Sequence, residues 1–109
     1  MPTVYKVLGQ SSPSATTATT LYTVPSATSA VISTITICNR ATADATVRLA
    51  VRPAGATLAN QHYLAYDLTV GGSDTTTLTL GITLATTDVV TIYASTANFS
   101  FTAFGSEIS

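Results

Sequence analysis

Charge is what this sequence has least of. Only 8% of its residues are Asp, Glu, Lys or Arg, against about 25% in an ordinary soluble domain. Its basic residues are Lys6, Arg40, Arg48 and Arg52, and the formal net charge is −1. A nucleic-acid binder neutralises phosphates with several clustered cations. Four dispersed ones exclude nucleic acid as an expected partner, and the same count excludes a polybasic membrane patch. Cysteine is nearly missing as well. Cys38 alone cannot close an intrachain disulfide, and inside an apolar stretch it reads as a buried free thiol. No apolar run approaches the ~18 residues of a membrane-spanning helix. Residues 1–10, MPTVYKVLGQ, lack the apolar core of a secretory signal, so the chain is expected to start out in the cytoplasm.

Helical patterning is missing too. No 3.6-residue apolar stripe with caps appears, and period 2 recurs instead. The polar character comes from hydroxyls: 23 threonines and 11 serines in 109 residues. Threonine suits a pleated strand because its Cβ is branched. The segment from Ala30 to Cys38, AVISTITIC, is a β-branched run in which Ser and Thr hold places where a surface strand usually carries Lys or Glu. At this length and with 46% apolar residues, one domain with one core is expected over residues 1–109.

Strands are predicted at Thr3–Leu8, Leu21–Val24, Ser29–Asn39, Ala45–Arg52, His62–Val70, Thr75–Leu84, Val89–Ser95 and Phe99–Phe104. Residues 9–20 are the least complex part and read as a loop or mobile arm. Gly71-Gly72-Ser73-Asp74 is the strongest hairpin signal, and Gly81 marks a bulge. About eight strands with regularly spaced turns predict an all-β protein. The expected architecture is a single antiparallel β-sandwich of jelly-roll or Ig-like Greek-key type.

Catalytic chemistry finds little to stand on. His62 is the sole histidine. A Ser-His-Asp site would need a carboxylate to orient it and a hydroxyl beside it, and no GxSxG turn is present. His62 reads instead as a polar tip at a sheet edge or an interface contact. Asp44, Asp67, Asp74, Asp88 and Glu107 are spread singly. They lie mostly in turns, where aspartate suits backbone hydrogen bonds better than metal binding or paired-carboxylate glycoside cleavage. No cofactor is expected. Arg48 and Arg52 stand at i and i+4 on one strand, so both project from one face. They read as a solvated face or as anchors of a subunit contact, where arginine is enriched. Strict alternation puts Tyr63 and Tyr66 on opposite faces, one core and one surface. Arg48, Arg52, His62 and Tyr63 are the candidate interface residues.

The stretch CNRATADATVRLAVRPAGATLANQHYLAYD, then LTLGITLATTDVVTIYAS and the terminal FGSEI, resembles a group of small virion structural proteins of tailed bacteriophages. The opening VYKVLGQSSPSATTATTLYTVP fits the same pattern, so the likeness covers nearly the whole chain. It is a likeness of strand and turn wording, and it carries over no individual site residue. It implies a non-enzymatic particle component found in the virion after assembly in the host cytoplasm. Its role would be capsid decoration (a cement protein) or a tail, baseplate or fibre-adaptor module. The partners implied are the phage major capsid protein, or tail and fibre proteins, and copies of itself, a trimer being the expected homo-oligomer. A receptor- or glycan-binding module is the remaining alternative.

Overall fold

The computed structural model describes residues 2–109 and contains nine strands. They are β1 (Thr3–Ser11), β2 (Thr19–Thr23), β3 (Ser29–Asn39), β4 (Ala45–Arg52), β5 (Tyr63–Val70), β6 (Thr75–Leu78), β7 (Ile82–Leu84), β8 (Val89–Ala94) and β9 (Phe99–Ile108). Two single-turn 3-10 helices, Pro53–Gly55 and Asn60–His62, lie between β4 and β5. One sheet has the order β1-β9-β3-β6, with β7 also paired to β3; the other has the order β2-β8-β4-β5. Every pairing is antiparallel.

The two sheets take strands from the chain in turn. β1 and β2 fall in different sheets, β9 returns between β1 and β3, and β8 returns between β2 and β4. This is the order of a jelly roll, made of two interleaved Greek keys. An Ig-like sandwich would keep its first two strands in one sheet. The β-sandwich expectation therefore holds, and the topology chooses between its two forms.

Alternation explains how each sheet buries one face. In β3, Ala30 and Ile32 point inward, then Ile35, Ile37 and Asn39. The phase changes because a bulge interrupts the pairing with β9 between Ile32 and Thr34. Phe99, Phe101 and Ala103 of β9 meet Val47 and Leu49 of β4 and Val90 and Ile92 of β8 in one continuous core. The outward places on β3 carry Thr34, Thr36 and Cys38. In the neighbouring strands Thr102 and Thr77 lie beside Thr36, and Ser100 and Thr75 lie beside Cys38. The outer face at this end is thus built of hydroxyls.

Several expectations need correction. Residues 9–20 are not one loop: β1 runs on through Gly9, Gln10 and Ser11, paired with Ala103, Thr102 and Phe101, and β2 begins at Thr19. The connection between them is tied down by the Thr16 N–H donating to the Ala94 carbonyl and by Arg40 donating to the Ser12 hydroxyl. Gly71–Asp74 turns the chain without making a hairpin, because β5 and β6 belong to different sheets. That turn packs on the β3–β4 connection, with the Ser73 N–H donating to the Ala41 carbonyl. The strand predicted over Thr75–Leu84 is two strands. Gly81, at φ +62°, breaks it and leaves Leu80 exposed. Cys38 is only partly buried, since it points to the outer face among hydroxyls and not into the core.

Candidate functional site

β4 is the centre of the site. Val47 and Leu49 are buried, while Arg48 and Arg52 face outward, as the i and i+4 spacing predicts; Ala50, between the two arginines, is buried as well. β8 lies on one side, with Tyr93 opposite Arg48 and Thr91 opposite Ala50. β5 lies on the other side, and two irregularities break its alternation. Tyr66 and Asp67 together face Arg48, and Leu64 is an extra residue between Tyr63 and Ala65. Asp67 takes φ +55°, a left-handed conformation that aspartate tolerates better than most residues.

These bulges overturn the expectation for the tyrosines. Ala65, Leu68 and Val70 face the core, while Tyr63 and Tyr66 both lie on the outer face. Their ring centroids are 4.9 Å apart with the rings nearly perpendicular, at 89°, an edge-to-face arrangement favoured by the aromatic quadrupole. The Arg48 guanidinium carbon sits 4.1 Å from the Tyr66 ring centroid and 4.4 Å from that of Tyr93. Arg48 Nε donates to Asp67 Oδ1 at 2.7 Å and Nη2 to Oδ2 at 3.4 Å. This hydrogen bond first, and the carboxylate charge after it, hold the guanidinium pKa above its ordinary value. The contacts of the cluster lie within one chain, while Tyr66 stays 58% exposed.

The other candidates have local duties. Arg52 Nε donates to the Thr91 hydroxyl at 3.0 Å, and Nη1 to the Ala56 carbonyl at 3.0 Å. It therefore clamps the turn after β4. His62 lies one residue before β5, and its Nδ1 accepts the Ala59 N–H at 3.0 Å. Of the four candidates, Arg48 and Tyr63 join the cluster. Tyr66, Tyr93 and Asp67 complete it, and none of the three is among the interface residues expected from the sequence. Tyr93 is placed opposite Arg48 only by the pairing of β4 with β8, and a bulge has no period-2 signal.

The remaining aspartates serve turns. Asp44 accepts the Gly72 N–H, Asp74 the Thr75 N–H, and Asp88 the N–H groups of both Ala54 and Ala85. Among the described residues no three His, Cys, Asp or Glu side chains gather as a metal site would require. A shallow apolar groove of about 430 Å³, lined by Val51, Leu64, Leu80, Ile82 and Thr83, opens where the two sheets part beside β5. A second groove, of about 490 Å³, lies on the outer face of the β1-containing sheet. No family model, curated protein or solved structure matches the chain.

Proposed function

We propose that this protein is a non-enzymatic structural component of a tailed-bacteriophage virion, acting as a capsid decoration protein that clamps neighbouring shell subunits. The observation that carries the reading is the Arg48–Tyr66–Tyr93 stack closed by Asp67. Tyrosine and arginine dominate interface hot spots. Here their rotamers are already fixed by mutual contact, which lowers the ordering cost of docking. The nearly chargeless hydroxyl faces allow many copies to sit close together without repulsion. Jelly rolls occur among both capsid and lectin domains, which is an analogy of fold and not of function. The partners in this reading are the major capsid protein and copies of the chain itself, within the virion.

Decoration would work by mass action. A ligand that binds only the assembled lattice stabilises it by RT ln(1 + [L]/Kd), about 2.7 kcal/mol at a hundredfold excess over Kd. Particles stripped of the protein are expected to rupture at lower temperature. Adding back the wild type restores the rupture temperature, and adding back Arg48→Ala does not. Unchanged rupture on stripping would refute the role. Counting copies per particle tests the tail, baseplate or fibre-adaptor alternative: hundreds fit a shell, and a few tens or fewer fit a tail.

A glycan-binding reading draws on the same cluster, because three tyrosines and a carboxylate now share one face. Retention on a glycan array, lost in Tyr66→Ala, would favour it over decoration.

A further inference from the structure

Among the described residues the open edge of β1 has no partner strand, and its chemistry is self-complementary. β1 ends the sheet order, so the side away from β9 is bordered by no strand of its own sheet. At Gly9 the inner face of the strand lies against the other sheet. A Cβ on Gly9 would stand 2.2 Å from the Leu21 carbonyl oxygen of β2. Before it, five consecutive residues, Thr3 to Val7, are exposed. Native edges are usually guarded by proline, a bulge or an unpaired charge. Between Thr3 and Val7 there is no proline, and the bulge falls after Val7. The one charge, Lys6, is neutralised within the chain by Glu107, Nζ to Oε1 at 2.7 Å.

The face beside the edge is apolar. Register puts Tyr5, Ser106 and Val31 in one row across β1, β9 and β3, and Val7, Phe104 and Thr34 in the next. Tyr5 is 83% exposed, Val7 48% and Phe104 39%. Tyr5, Phe104 and Val31 border the groove of about 490 Å³.

We infer that β1 pairs antiparallel with β1 of a second copy about a two-fold axis at Tyr5, joining two five-stranded sheets into one. Residues opposite each other in an antiparallel pair point to the same face. An axis at Tyr5 sets Tyr5 against Tyr5, Val4 against Lys6 and Thr3 against Val7. Each pairing respects that rule, and Lys6 never meets its own copy. An isologous contact must tolerate its own charge, and among the described side chains of Thr3 to Val7 the one charge is Lys6, offset by Glu107. The apolar rows of the two copies then run on as one surface. A three-fold ring, by contrast, needs two different patches to meet.

Sedimentation equilibrium of the full chain tests the pairing. At about 100 µM, where micromolar association is nearly complete, the wild type is expected at twice its 11.2 kDa. Tyr5→Lys and Tyr5→Glu each set like charges on the axis and are expected to weaken association at least about tenfold. Both should keep the wild-type circular dichroism spectrum, since Tyr5 is largely exposed and touches little within its own chain. An equimolar mixture of the two is expected to pair again, which only a Tyr5–Tyr5 contact explains. A monomeric or trimeric wild type, or undiminished pairing in both variants, would overturn the inference. Particle binding is a separate measurement: a chain that pairs but binds no particle leaves this inference standing and removes the decoration reading.

Discussion

Asn39 is polar, wholly buried and fully occupied. Its Nδ2 donates to the Ala43 carbonyl at 3.0 Å and the Val70 carbonyl at 3.1 Å, and its Oδ1 accepts the Ala41 N–H at 3.0 Å. One side chain thus fixes the β3–β4 connection and the end of β5. Asn39→Ala leaves these backbone groups without partners inside the sandwich. It is expected to cost on the order of 3 kcal/mol in urea unfolding. At this scale the sequence was readable where bonding is local. The bonds of Asp74 from the Thr75 N–H and of Asp88 from the Ala85 N–H follow from aspartate's habit of accepting nearby N–H groups. Asp67 was unreadable for the opposite reason. Its partner, Arg48, is 19 residues away, and its backbone conformation is set by the β4 register.

Strand positions were more legible than their faces. Ser29–Asn39 and Ala45–Arg52 are found with the limits their β-branched and alternating residues predict. β5 begins one residue later than predicted, at Tyr63, and its two bulges reverse the expected faces of its N-terminal half. A bulge adds one residue to one strand only, so a single strand's pattern cannot announce it. Gly9 illustrates the same limit in β1. As a glycine it read as a strand breaker, yet it sits inside the strand because β2 passes too close for a side chain. Gly9→Ala is expected to push β1 off β2 at a cost of about 2 kcal/mol. Faster amide exchange along β1 and β2, with the core of β8 and β4 still protected, is the readout.

At the scale of the molecule, a second polar link, beside that of Asn39 to Val70, ties the two sheets together. The Tyr22 hydroxyl, from β2, donates to Glu107 Oε2 on β9, whose other oxygen pairs with Lys6. Burial, then the bond to Glu107, push the Tyr22 hydroxyl pKa well above its ordinary value. The bond from Lys6, followed by that from Tyr22, holds the Glu107 carboxyl below its ordinary 4.5. A depressed carboxylate pKa stabilises the fold above the unfolded value and ceases to do so as pH falls through the folded one. Stability is therefore expected to drop as pH is lowered below about 4.5, and Glu107→Gln should flatten that drop. Denaturant titrations above and below that pH check it; an acid limb as steep in the variant as in the wild type would remove Glu107 as its source. Taken alone, the sequence determined the β class, the single layer pair and the hydroxyl-bearing outer faces. Composition and period 2 act residue by residue and need no partner to be read. Only the tertiary structure decided the jelly-roll order, the gathering of Tyr63, Tyr66 and Tyr93 around Arg48, and the open stretch of β1. Each depends on which distant strands pair and in what register, and that is set by the packing of the whole core.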